Sequence, residues 1–241
     1  MKQEVKIFDN TNEISENIAS MLIDLSKTKS EKSIHIALSG GSTPKDIFNY
    51  LTVNYGKDLI DPRFNFWWGD ERCVSPNDDE SNYFWANKLW LSPCGVKPQN
   101  IHRVMGENRP AEEAARYAFQ IDTLLKKNLE IPQFDLVLLG LGDDGHTASI
   151  FPSQMELLKS EKLCEVAAHP ISGQKRVTFT GKLINNSKTI VFISTGENKA
   201  LKIHQIIDLR DKSLPATHIN PINGKLIWII DNEAAQKLEK R

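Results

Sequence analysis

Three short segments of this chain gather side chains whose chemistry goes beyond packing. The most telling is Gly142-Asp143-Asp144-Gly145-His146. A histidine can take a proton from water or return one to a leaving oxygen, and a neighbouring carboxylate can fix its tautomer. Asp143 and Asp144 both qualify as that carboxylate. His146 is equally read as a cap for a following helix, a job that Thr147 or Ser149 would share.

A second segment, Ser39-Gly40-Gly41-Ser42-Thr43-Pro44, follows an apolar run. Two glycines let backbone approach a ligand without a Cβ in the way. Thr43 suits a helix N-cap and Pro44 the first helical position, so the free N–H groups of that turn would face an anion. The hydroxyls of Ser42 and Thr43 add donors. This is neither a Walker loop nor G-x-G-x-x-G, and a plain strand-to-helix turn uses the same residues.

The third segment is Gly69-Asp70-Glu71-Arg72. Arg72 can grip a phosphate with two parallel N–H groups, or pair locally with its own carboxylates. Arg176, opening Arg-Val-Thr-Phe-Thr, and Lys199, in Gly196-Glu-Asn-Lys, are further phosphate ligands or else solvated charges.

These segments need elements to hold them. The patterning predicts an edge strand over residues 1–9 and helices over 12–27, after Pro44, over 81–91, 110–128 and 198–207, and after Asp231. Strands are expected at 33–38, 64–68, 134–139, 163–168, 176–180, 188–194 and 226–230. Strands alternating with helices argue a mainly parallel sheet covered on both faces. Ligands of such sheets gather outside the carboxyl ends of strands, where all three segments fall.

Composition sets outer bounds. At 241 residues with 40% hydrophobic and 25% charged residues, the chain can bury one sizeable α/β core. The net charge of −1 carries no basic excess for a nucleic acid or an anionic membrane. Cys73, Cys94 and Cys164 are odd in number and widely spaced, which disfavours a zinc site or disulfide framework. The opening MKQEVKIFDNTNEI has no signal-peptide pattern, so a cytoplasmic location is expected. No metal-ligand spacing or G-x-S-x-G elbow is present.

Taken together, ALSGGSTP (37–44), FWWGDERCV (66–74), SNY (81–83), LGLGDDGHTASIFP (139–152), RVTFT (176–180) and WIIDNEAA (228–235) resemble the 6-phosphogluconolactonase family in order and span nearly the whole chain. One departure is Glu80, where the family often has His or Asp before S-N-Y. The related glucosamine-6-phosphate deaminases carry an acidic residue after their D-G-H that Thr147-Ala-Ser-Ile-Phe-Pro lacks.

The resemblance implies a modified Rossmann-like α/β/α sandwich with a smaller subdomain, forming one catalytic unit over 1–241. It implies hydrolysis of 6-phospho-D-glucono-1,5-lactone by a cytoplasmic monomer with no metal or organic cofactor. His146 would be the acid/base, oriented by Asp143 or Asp144. Gly40, Gly41, Ser42, Thr43, Arg72, Arg176 and Lys199 would bind substrate, and backbone amides from Gly142 to Gly145 are candidates to hold the oxyanion. A sugar-phosphate deaminase and a noncatalytic sugar-phosphate sensor are the alternatives.

Overall fold

The computed structural model describes residues 3–27 and 32–239. In chain order the elements are β1 (Gln3–Phe8), α1 (Thr11–Ser26), β2 (Ile34–Leu38), α2 (Ser42–Asn54), β3 (Phe64–Trp68), β4 (Asp70–Arg72) and α3 (Asn82–Ala86). Then come α4 (Pro110–Leu124), β5 (Lys127–Asn128), β6 (Ile131–Pro132), β7 (Leu136–Leu139), β8 (Cys164–Ala168) and β9 (Lys175–Phe179). The chain closes through α5 (Gly181–Asn185), β10 (Thr189–Ser194), α6 (Ala200–Ile207), β11 (Lys225–Asp231) and α7 (Asn232–Ala235). The first two residues of the expected opening strand lie outside the described residues.

Six strands form a parallel sheet in the order β1-β11-β10-β7-β2-β3. Its inner strands are apolar runs such as Ile-His-Ile-Ala-Leu and Leu-Val-Leu-Leu, buried throughout. Successive side chains of a strand point to opposite faces. Ala37, Trp67, Val137, Leu139, Trp228 and Ile230 therefore enter one core with α4 and α6. Their neighbours Ile36, Leu38, Phe66, Leu136, Leu138 and Ile229 enter the other, with α1 and α2. Covering both faces is what a parallel sheet requires.

The strands expected at 163–168 and 176–180 do not join this sheet. They are β8 and β9, which make a three-stranded antiparallel sheet with β4. The reason is connection length: parallel neighbours need a crossover of a dozen or more residues, and Lys175 follows Ala168 too soon for one. Asp70–Arg72, read as a loop, is the third strand of this small sheet. The helix expected to reach residue 128 stops at Leu124, because Leu129 and Glu130 adopt positive φ (53° and 60°) in a tight β5–β6 hairpin. Positions 81–91 keep helical character, but α3 passes into a π-helical turn over Asn87–Leu91.

Candidate active site

The chain runs outward from β2 to β3 on one side and from β7 through β10 to β11 on the other. The order of the parallel sheet thus reverses between β2 and β7, which opens a crevice at their carboxyl ends. A cavity of about 170 Å³ sits there. Its wall takes Gly40 and Gly41 from the end of β2, Arg72 from β4, Gly142 and His146 from beyond β7, and Arg176 from β9. Ser42 lines an adjoining cavity of about 230 Å³ that shares Gly40, Gly41 and Arg72 with the first.

His146 is held on three sides. Asp144 Oδ1 accepts from the His146 backbone N–H at 3.0 Å and lies 2.5 Å from the ring Nδ1. An ionised carboxylate only accepts, so the ring proton sits on Nδ1 and the Nε2 lone pair is left free. Burial works against the Asp144 charge, but the His146 ring and backbone N–H outweigh it and hold the carboxyl at about 2. The Phe151 ring packs on the imidazole at 4.7 Å. Behind it stands Gly142, where a Cβ would come within 2.1 Å of Nδ1. His146 caps no helix: the 3-10 turn Pro152–Leu158 has Phe151 at its N-cap.

Of the two carboxylates, Asp143 takes no part in this dyad. It pairs with Lys199 and accepts from Asn198 Nδ2 at 3.2 Å. Neither Asp143 nor Lys199 lines the cavity. Two of the candidate oxyanion amides are also committed: Gly142 N–H donates to His146 C=O and Gly145 N–H to Gly142 C=O.

The Gly-rich segment differs from expectation in its cap. Helix α2 starts at Ser42, so Gly41 is the N-cap, at φ 113°, with no side chain to cap with. Thr43 already lies inside the helix, and its hydroxyl hydrogen-bonds Thr195 Oγ1 at 2.8 Å. The first-turn N–H groups are consequently left without a side-chain cap at the cavity rim.

Arg72 and Arg176 are directly opposite in the β4–β9 ladder. Arg72 donates to Glu80 C=O at 2.5 Å, and Arg176 donates to Gln174 Oε1 at 3.4 Å. The Nε of each is buried with no partner among the described residues. Burial lowers the Arg176 pKa, and adjacent Arg72 lowers it further against the pull of Asp70. A buried guanidinium, Arg176, and a half-buried one, Arg72, each with a spare donor, provide for a doubly charged oxyanion.

Several residues in or behind this wall have tasks that the sequence does not show. Asp70 is buried and accepts from Ser149 Oγ at 2.6 Å, which ties the segment after β3 to the one after β7. Glu71, treated as an ion-pair candidate, is a backbone clamp. It accepts the N–H groups of Arg72, Asn82 and Tyr83 at 2.7–2.8 Å and the Ser81 hydroxyl at 3.1 Å. Burial pushes its carboxyl up to about 7 although these bonds pull it down. Asn82 also lines the cavity; the S-N-Y segment was its only signal.

A family model for glucosamine-6-phosphate isomerases/6-phosphogluconolactonase matches residues 9–228. The chain belongs to this family. A 6-phosphogluconolactonase of Treponema pallidum is 43% identical over 184 residues, covering 76% of each chain. One from Haemophilus influenzae is 40% identical over 208 residues, 85% of this chain and 88% of that one. Among solved structures, the 6-phosphogluconolactonase of Trypanosoma cruzi superposes with a TM-score of 0.87 at 27% identity, covering 99% of this chain and 98% of the other. Members of the family named in this way are enzymes, and the α/β architecture is theirs. Among the described residues no helix is long and apolar enough to cross a membrane.

Proposed function

We propose that this chain is a 6-phosphogluconolactonase, hydrolysing 6-phospho-D-glucono-1,5-lactone to 6-phospho-D-gluconate in the oxidative pentose phosphate pathway. The observation that carries the reading is His146: its Nε2 is free, its Nδ1 is held by Asp144, and it lines the same cavity as Arg72, Arg176 and the Gly40–Gly41 turn.

The substrate phosphate rests against Arg72, Arg176 and the N–H groups of Gly40, Gly41, Ser42 and Thr43. That anchorage sets the lactone carbonyl beside His146 Nε2. The imidazole takes a proton from water as the water oxygen attacks C1, giving a tetrahedral oxyanion. The oxyanion collapses, the bond from C1 to the ring oxygen breaks, and the imidazolium returns its proton to that oxygen. Asp144 keeps the tautomer correct and offsets the charge of the imidazolium. Lys199, paired with Asp143, contributes positive potential at the rim and not a direct contact.

The same reading makes the protein a cytoplasmic monomer and one catalytic unit, with a small sugar phosphate as its partner and no metal, cofactor, nucleic acid or membrane. The test is substrate choice. Freshly made 6-phosphogluconolactone should be hydrolysed well above its spontaneous rate, with no ammonia released from glucosamine 6-phosphate. Ammonia release without lactone hydrolysis would replace this reading with the deaminase one. Ligand-dependent thermal stabilisation without turnover would replace it with the sensor.

A further inference from the structure

Asn82 is only 5% exposed, yet it lies on the wall shared by the cavity of His146 and the adjoining cavity of Ser42 and Lys45. Its amide is fixed in one orientation. Asn82 Nδ2 donates to the Asp70 carbonyl at 2.9 Å, and a carbonyl can only accept, so the nitrogen must face Asp70. The backbone below is pinned by the bond from Asn82 N–H to Glu71 at 2.7 Å. Oδ1 is thereby turned toward Gly40, where a Cβ would come within 1.8 Å of it. No donor among the described residues reaches Oδ1.

The surrounding wall is rich in donors: Arg72, Arg176 and the amides at the start of α2. All of these suit the phosphate. The Asn82 acceptor does not, because a phosphate oxygen would repel it. It suits a hydroxyl. We infer that Asn82 is a specificity-determining residue, whose Oδ1 accepts a hydrogen bond from a ring hydroxyl of the lactone while the arginines hold the phosphate. Gly40 and Glu71 are positioning residues for that amide, Gly40 by leaving room and Glu71 by anchoring the backbone. The inference rests on the lactonase reading for the identity of the polyol. A site built to pair a substrate hydroxyl rejects an analogue lacking it, since a buried polar group is then left unpaired.

The experiment compares the parent lactone with lactones lacking the 2-, 3- or 4-hydroxyl, each made in situ from the deoxy sugar phosphate. In wild type, loss of one of these hydroxyls should lower kcat/KM by about 10- to 100-fold. In Asn82→Ala the same deoxygenation should cost less than about threefold, because the partner is already gone. Asn82→Leu, which keeps the branched shape, takes the place of the alanine variant if that one does not fold. A wild type indifferent to all three deoxygenations overturns the inference, as does an Asn82 variant that keeps the full penalty.

Failure of the lactonase reading has a separate signature, namely a wild type no faster than spontaneous hydrolysis of the parent. The inference is then decided by equilibrium binding. Asn82→Ala should weaken 6-phosphogluconate about 10-fold and leave inorganic phosphate unchanged. Equal weakening of both overturns it.

Discussion

Asp144 Oδ1 lies 2.5 Å from His146 Nδ1, whereas Asp143, one residue earlier, turns away to Lys199. Adjacent carboxylates of identical chemistry therefore have different tasks. Asp144→Asn should lower kcat by about 10²-fold or more, because an amide can present its N–H to Nδ1 and stabilise the wrong tautomer. Asp143→Asn, which loosens an ion pair at the rim, should keep kcat within about threefold and act mainly on KM. Steady-state kinetics of the two variants side by side separates these roles.

Gly142 gives a second handle on the same imidazole. Gly142→Ala places a methyl where the His146 ring now lies, 2.1 Å from Nδ1. The ring must swing away, so kcat should fall by about 10²-fold while the thermal midpoint moves little. An active alanine variant would mean that the ring position is not critical.

Arg72 and Arg176 face each other across two strands and are expected to act on capture. Arg176→Ala should raise KM about 10- to 100-fold and abolish competition by inorganic phosphate. Arg176→Lys should recover little of this, since one ammonium cannot replace a fork of planar donors. Inhibition constants for phosphate check both.

Much of this site was legible in the sequence, for a physical reason. Glycines, a histidine and an arginine directly after apolar strands mark the carboxyl edge of a parallel sheet, and topology brings such edges together. What stayed hidden depends on three-dimensional partners. Thr43 was read as a cap from its residue type, yet Thr195, far along the chain, takes its hydroxyl. The choice between Asp143 and Asp144 turned on where Lys199 lies. Glu71 looked like an ion-pair member because nothing local shows that the Ser81–Tyr83 backbone folds onto it. The antiparallel pairing of β8 and β9 went unread although their short connection leaves no room for a parallel crossover, and the tight Leu129–Glu130 turn has none of the usual Asn-Gly chemistry to mark it.

Stability should also depend on pH through His102. Its ring stacks on Trp67 at 4.1 Å, and burial pulls its pKa down to about 4 from 6.5. The unfolded chain then binds a proton that the folded chain refuses between those values. Stability is present in full above about pH 6.5 and falls as pH drops toward 4. Chemical denaturation at pH 7 and pH 5 should show wild type losing on the order of 1–2 kcal/mol more than His102→Gln over this interval. Equal losses would place the acid sensitivity elsewhere.

The most direct test of the central claim is lactone hydrolysis by wild type and His146→Ala in parallel. Fresh 6-phosphogluconolactone is generated in situ, 6-phosphogluconate is followed, and the spontaneous rate is subtracted. The account predicts rapid turnover by wild type and a loss of about 10²- to 10⁴-fold in kcat for a folded His146→Ala. A variant that turns over like wild type would contradict the assignment of His146 as the acid and base of this reaction.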